Sequence, residues 1–442
     1  MDRLNHGTLV TLFAGALILN ACKGGNNGAG ETGFVATGGP IRVEIKEKRG
    51  GFQLLRGGEP YFIKGAVGWD YLDRLAACGG NSLRSSPRSL NRADSLGLTM
   101  MANLPVKAQR DGFDYDDEEA VETQFNRIKG IVEAHKDHPA LLMWAIGNEL
   151  DHIPGDLDYN LKVWDAVNDI AGMIKEIDPN HPVLTVVGCG RFRKIRDIQE
   201  RCPNLDLLGI NTYGEMLEIP AMLSEQGWTK PYAVTEWGVS GWWEVPRTDW
   251  DVVIEETSTE KAELYRKKYE GVVLADPRCI GSYVFLWTSN RQERTHTWFN
   301  MFCNGEETQA VETMQFMWTG QWPGNLAPRI RSLTIDGMEA LENISLAPGS
   351  ISRGEVMADD PDQDTLQYEW ELLPEPTEFG AYAGQGEVKP EGVEGFIQQA
   401  EKEMISFRVP SEGGKSYRLF VYIYDGQGNI AVANIPFHVE GS

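Results

Sequence analysis

Two glutamates stand where an acid has little structural reason to be. Glu149 closes the apolar run LLMWAIGNE and Glu236 closes PYAVTEW. An isolated carboxylate at the end of a buried-type strand is costly to desolvate, so two of them facing one cavity imply a task. Glycoside hydrolysis is one chemistry that such a pair performs unaided. In its retaining form one carboxyl protonates the leaving oxygen, while the other, about 5 to 5.5 Å away, attacks the anomeric carbon and forms a covalent intermediate. Side chains supply both the proton and the nucleophile, so no cofactor is expected.

Other chemistries find less support. His135 and His138 lie at a helix end before Pro139 without acids in ligand register, and read as structural or surface histidines. No GxSxG elbow exists and none of the seven histidines ends an expected strand, which disfavours a Ser-His-Asp triad. The alternating acids Asp360, Asp362 and Asp364 have oxygen ligands for calcium, but a solvated turn explains them better, and no metal is expected.

The elements that must position the two glutamates follow from periodicity. From about residue 60 short apolar runs alternate with longer amphipathic stretches, the signature of an α/β fold. Eight strands are expected: YFIKGA, NSLRSS, LTMMANLPV, LLMWAIGNE, PVLTVVG, LDLLGINTYG, PYAVTEWG and IGSYVFLW. Between them, EEAVETQFNRIKGIVEAH and LKVWDAVNDIAGMIKEI carry apolar residues at helical spacing. Eight strands with intervening helices predict a closed (β/α)8 TIM barrel, whose C-terminal strand ends carry the chemistry. An open doubly wound sheet would carry a glycine-rich phosphate loop after its first strand, where this chain has GAVGWDY. The long connection from Ser240 to Thr257 is expected to shape substrate subsites.

The 442 residues suit a barrel of about 250 residues plus a smaller domain. Residues 1–22 read as a lipoprotein signal peptide: the apolar run from Leu9 to Leu19 is too short to span a bilayer, and Leu19, Asn20, Ala21 and Cys22 resemble the lipobox of bacterial lipoproteins, with Cys22 the lipidated residue. Residues 23–40 form a flexible Gly- and Asn-rich tether, 41–325 the catalytic barrel, and 326–442 a small all-β immunoglobulin-like sandwich. The expected place is the bacterial outer membrane, surface- or periplasm-facing, with the lipid as the only membrane contact. Beyond Cys22 an odd number of cysteines remains, without a CxxC pair; a Cys189–Cys202 disulfide is one option. A net charge of −24 without a dense basic run excludes nucleic acid and suits a neutral polysaccharide or oligosaccharide as partner.

The motifs GNE at the fourth strand and TEWG at the seventh resemble the clan of retaining glycosidases that includes glycoside hydrolase families 2 and 5. The resemblance covers roughly residues 60 to 320 and implies that Glu149 is the acid/base and Glu236 the nucleophile. It further implies that Asn148 binds the sugar 2-hydroxyl, that Arg84 and Tyr213 contact the nucleophile, and that Trp287 is a sugar platform. Of the tryptophans near the expected rim (Trp69, Trp237, Trp242, Trp243, Trp287 and Trp298), the expected sugar-binding set is Trp69, Trp237, Trp242 and Trp287. The N-terminal sandwich domains of family 2 are missing, and the layout is similar to family 158 endo-β-1,3-glucanases. A β-linked glucan is therefore the expected substrate. The alternatives are an exo-acting β-galactosidase, β-glucuronidase or β-mannosidase of the family 2 type, or a transglycosylase. From another class comes a non-catalytic surface glycan-binding lipoprotein, which predicts a lost carboxylate where this chain keeps both.

Overall fold

The computed structural model describes residues 39–152, 159–188, 193–379 and 386–441. The expected signal peptide, most of the tether, Cys22 and Cys189 lie outside the described residues. Cys202, the other half of the possible disulfide, is buried and donates its thiol to the Trp164 carbonyl at 3.1 Å.

Three short antiparallel strands come first: β1 (Val43–Lys48), β2 (Gly51–Arg56) and β3 (Glu59–Tyr61). Eight parallel strands then close a barrel: β4 (Ile63–Gly68), β5 (Ser82–Ser85), β6 (Thr99–Leu104), β7 (Leu141–Ile146), β8 (Val183–Gly188), β9 (Leu207–Asn211), β10 (Tyr232–Trp237) and β11 (Cys279–Trp287). These are the eight expected strands in their expected order. Every residue of β7 is buried, because lumen and helices cover its two faces.

A helix follows each barrel strand: α1 (Leu72–Ala77), α2 (Leu90–Ser95), α3 (Glu118–His135), α4 (Lys162–Ile177), α5 (Arg193–Arg201), α6 (Ile219–Glu225), α7 (Ser258–Lys268) and α8 (Gln309–Thr319). In α4 the residues Val163, Val167, Ile170 and Ile174 recur at helical spacing and bury one face. A capping box fixes the start of α7, with Thr257 accepting from the Glu260 amide and the Glu260 carboxylate accepting from the Thr257 amide. That cap marks where the long connection after β10 ends. Gly320, in the left-handed conformation at φ 76°, closes α8.

Sequence periodicity places no strand before residue 60, and the sheet β1–β2–β3 corrects that expectation. Its strands are short; VEIKEK of β1 is charged and half exposed, and β2 and β3 are too brief to show the apolar run of a buried strand. Val43 and Leu54 nevertheless pack with Ile63, Leu142, Leu184, Leu207 and Ala233 at the N-terminal ends of the barrel strands. The sheet closes that end, leaving the opposite rim as the mouth.

A small hairpin, β12 (Phe302–Cys303) with β13 (Glu306–Glu307), precedes α8. The chain then forms two four-stranded sheets. One contains β14 (Arg329–Ile335), β16 (Ile351–Asp359), β19 (Met404–Arg408) and β18 (Ile397–Glu401); the other contains β15 (Ser345–Leu346), β21 (Ile430–Val439), β20 (Ser416–Tyr424) and β17 (Gln367–Pro374). Leu372, Phe407, Leu419, Val421 and Phe437 fill the space between them. Asp360, Asp364 and Asp425 bring carboxylate oxygens within 4.8 Å of one another, whereas Asp362 turns away to accept from the Leu326 amide. Asp360 caps its own turn, accepting from the Asp362 and Asp364 amides.

Barrel and sandwich pack through an apolar cluster, in which Cys303 meets Leu373, Phe420, Ile430 and Val432, and through polar contacts. Asn434 donates to Glu255 at 2.7 Å, Arg418 to the Val253 carbonyl at 2.7 Å, and the Val432 amide to Ser258 at 3.0 Å. Glu255 also pairs with Lys261, both of them buried.

Candidate active site

At the end of β7 the chain turns sharply. Gly147 has φ 70°, and a side chain there would strike Leu150. Glu149 itself sits at φ 48°, a conformation that non-glycine residues hold only when the surroundings enforce it. Two contacts do so: the Glu149 amide donates to the Val186 carbonyl of β8 at 2.9 Å, and Arg110 clamps the turn by donating to the carbonyls of Asn148 and Glu149. The Glu149 carboxyl lies over Gly188, where an added Cβ would come within 3.2 Å of its carboxyl carbon.

Asn211, at the end of β9, donates to Glu149 Oε1 at 2.7 Å and to Asn148 Oδ1 at 3.0 Å. Its own oxygen accepts from Arg84 at 3.1 Å and from the Thr235 hydroxyl at 2.8 Å. Both faces of this amide are therefore committed, and its orientation is fixed by the network.

Arg84, at the end of β5, is the hub. Its side chain is only 2% exposed. Nη1 donates to Glu236 Oε1 at 2.7 Å and to the Thr235 carbonyl at 3.0 Å; Nη2 donates to Asn148 Oδ1 at 2.6 Å, and Nε to Asn103 Oδ1 at 3.3 Å. One guanidinium thus ties together the ends of β6, β7, β9 and β10. A planar five-donor group suits such a junction, and a lysine could not reproduce it.

Glu236 projects from β10 into the mouth. Arg84 holds one oxygen and the Tyr213 hydroxyl approaches the other at 3.4 Å. Burial pushes the Glu236 carboxyl up; the Arg84 charge opposes this, the nearby Glu149 adds to it, and the net direction is upward. Tyr213 is held by an aromatic box of Trp243, Phe285 and Phe299, with ring centroids 5.3 to 5.9 Å away. Burial and then the charge of Glu236 push its phenol well above the ordinary value, so it stays a hydrogen-bond donor. Glu244 accepts from the Gly214 and Gly241 amides at 2.7 and 2.6 Å, stapling the connection after β10 to the one after β9.

The structure brings Arg84, Asn148, Glu149, Tyr213 and Glu236 into one network. It does not bring in two of the expected tryptophans. Trp237 is fully buried beside Tyr265 and Tyr269. Successive residues of a strand face opposite ways, so with Glu236 in the mouth Trp237 faces the helices. Trp287 is fully buried too, against Phe302 and Trp318, its indole donating to the Tyr71 carbonyl. The pairing of β11 with β4 shifts register between Val284 and Trp287, which breaks the alternation, and Phe285 is the ring beside Tyr213. Trp298 is likewise packing. Trp69 is 59% exposed on the rim after β4, Trp242 is half-buried, and Trp243 is exposed. Asn211, Arg110, Asn103 and Phe285 are absent from the expected set. Asn211 ends an apolar run just as Glu149 and Glu236 do, which is a readable signal; Arg110 lies in a polar loop and gives none.

The chain thus forms a (β/α)8 barrel with two glutamates at the C-terminal ends of its fourth and seventh strands, linked through Arg84 and Asn211. Residues 84–242 match the family model for glycosyl hydrolases family 2, TIM barrel domain. No curated protein matches the chain. Among solved structures it is similar to Bacteroides uniformis beta-glucuronidase 2, at 14% identity and a TM-score of 0.49 over 90% of this chain and 48% of that one. A putative beta-galactosidase from Bacteroides fragilis aligns at 13% identity and a TM-score of 0.45, over 90% of this chain and 58% of that one. A glycoside hydrolase family 5 mannosidase from Rhizomucor miehei aligns at 15% identity and a TM-score of 0.47 over 62% of this chain and 96% of that one. The chain therefore spans about half the length of the beta-glucuronidase that it resembles.

Proposed function

We propose that this protein is a retaining glycoside hydrolase acting on a β-linked glucan, in the manner of an endo-β-1,3-glucanase. The observation that carries the reading is the asymmetric holding of the two glutamates. Glu236 is gripped by Arg84 and approached by Tyr213, which suits an anion that must attack in one direction. Glu149 receives a bond from Asn211 on one oxygen, leaving the other for a proton exchanged with the leaving group and then with water. In the first step Glu236 attacks the anomeric carbon as Glu149 protonates the departing oxygen. In the second, Glu149 takes a proton from a water whose oxygen attacks the anomeric carbon, breaking the bond to Glu236 and releasing the sugar with its configuration retained.

The exposed rings of Trp69 and Trp243 after the first and seventh barrel strands favour a long substrate over a single capped sugar. Hydrolysis of β-1,3-glucan, mixed-linkage glucan, mannan and galactan, followed by proton NMR of the first product, tests the reading. Release of β-anomers from β-1,3-glucan that disappears in Glu236→Gln is the expected result. Release of α-anomers would sink the retaining mechanism, and activity on another polymer alone would replace the substrate. The protein is further proposed to be a lipoprotein of the outer membrane, acylated at Cys22, on the strength of the LNAC motif. Labelled palmitate that is not incorporated by the parent, or is incorporated equally by Cys22→Ser, would refute this.

A further inference from the structure

The aromatic wall beside Glu236 does not stop at the barrel. Tyr213 meets Trp243 edge-on at 5.4 Å, and Trp243 meets Trp242 at 5.2 Å. The Arg294 guanidinium, from the connection after β11, lies 3.9 Å from the Trp242 ring centroid and 3.9 Å from that of Phe379. Phe379 belongs to the connection after β17, in the C-terminal sandwich. A continuous strip thus runs from the nucleophile across the rim and onto the second domain.

This strip is built rather than incidental. Glu387 accepts from the Arg294 amide and from its Nη1, both at 2.6 Å, with the carboxylate side chain 3% exposed. Such a buried ion pair adds little net stability compared with an apolar pair, so its consequence is positional. Of the two rings that it holds, Phe379 is 53% exposed and Trp242 is half-buried; Trp243, packed edge-on against Trp242, is 45% exposed. Large exposed rings, oriented by a fixed cation and continuous with a catalytic mouth, are the features of a ligand surface.

We propose that Trp243, Trp242, Arg294 and Phe379 form a binding strip for an extended, uncharged β-linked glycan chain, so that the C-terminal sandwich takes part in substrate binding through Phe379. The inference rests on the glycosidase reading and deepens it. A pyranose presents a C–H face that packs on an aromatic ring without needing charge. Because Glu387 already neutralises Arg294, the strip offers no net positive charge to a polyanionic glycan.

The test uses the full chain carrying Glu236→Gln, which binds without turnover, and titrates it calorimetrically with β-1,3-linked gluco-oligosaccharides of increasing length from the disaccharide upward. Affinity rises with length, and the loss caused by Phe379→Ala grows with length, reaching about five- to tenfold in Kd for the longest chain. A loss equal at every length, or none, overturns the strip. If the unmutated chain cleaves these oligosaccharides in a Glu236-dependent way while Phe379→Ala behaves like the parent, the strip fails and the glycosidase reading stands. If no β-linked oligosaccharide of glucose, mannose or galactose binds or is cleaved, the glycosidase reading fails and the strip fails with it.

Discussion

Under the proposed mechanism Arg84 sets the charge state of Glu236, and its replacement separates charge from geometry. Arg84→Lys keeps a cation but loses the fork that reaches Glu236, Asn148, Asn103 and Asn211 together. We expect kcat/KM to fall by about a hundredfold or more, in line with the loss of a preorganised donor. Because Arg84 opposes the upward push of burial on Glu236, weakening that contact raises the carboxyl further. The acid limb of the pH–kcat/KM profile should therefore move to higher pH, since Glu236 must be ionised to attack; a limb that stays or moves down would remove Arg84 from this role. Glu149→Gln should be rescued by azide on an aryl glycoside with a good leaving group, giving the β-glycosyl azide, because azide needs no base in the second step. An unrescued mutant would contradict the acid/base assignment. Both glutamates were legible in the sequence because a charge ending an apolar run is conspicuous. Arg110 was not, because a clamp on two carbonyls leaves no pattern in a polar loop.

At the level of elements, β8 offers a direct handle on Glu149. The Gly188→Ala methyl would sit 3.2 Å from the carboxyl carbon, closer than ordinary contact. The backbone at Gly188 suits an L-residue, so the expected effect is a displaced acid: kcat lower by about ten- to hundredfold with little change in Tm. A large drop in Tm with unchanged kcat per folded molecule would mean that the glycine serves packing alone. Strand period explains both the success and the failure of sequence reasoning here. The eight barrel strands stood out as apolar runs, while Trp237 and Trp287 were misread because proximity to the rim says nothing of which way a side chain points. The three strands before the barrel were invisible because the charged, exposed residues of β1 and β3 resemble those of a loop and the short β2 between them carries only Phe52, Leu54 and Leu55 as apolar signal.

Across the whole molecule, the joint between barrel and sandwich makes stability depend on pH. His296, on the barrel side, shares a 2.7 Å hydrogen bond with Tyr422 of β20. Tyr422 gives its proton to Glu371, so His296 Nε2 is the donor and Nδ1 is bare, with no partner among the described residues. Burial, with the charge of Lys389 beside it, pushes its pKa down from 6.5 to about 4. The unfolded chain takes up a proton as pH falls through 6.5, whereas the folded one resists until about pH 4. Native stability is therefore intact above pH 6.5 and erodes by about 3 kcal/mol across that window. Calorimetry at a series of pH values should show Tm falling across it, and His296→Asn should flatten that fall; parallel curves would exclude His296 as the cause. That a sandwich follows the barrel was readable from the change in composition after Gln321, but the polar character of the joint was not, since its partners are far apart in sequence. Glu255 and Lys261 meet each other within the barrel, Asn434 reaches Glu255 from β21, and Arg418 reaches the Val253 carbonyl from β20. A recombination event that exchanged the sandwich for an unrelated module would remove the donors that Asn434 and Arg418 bring to Glu255 and to the Val253 carbonyl, while Lys261, Thr295 and Thr297 would still hold Glu255 from the barrel side. The two halves are therefore fitted to each other at this joint, and a swapped module should lower Tm unless it supplies donors where Asn434 and Arg418 stand.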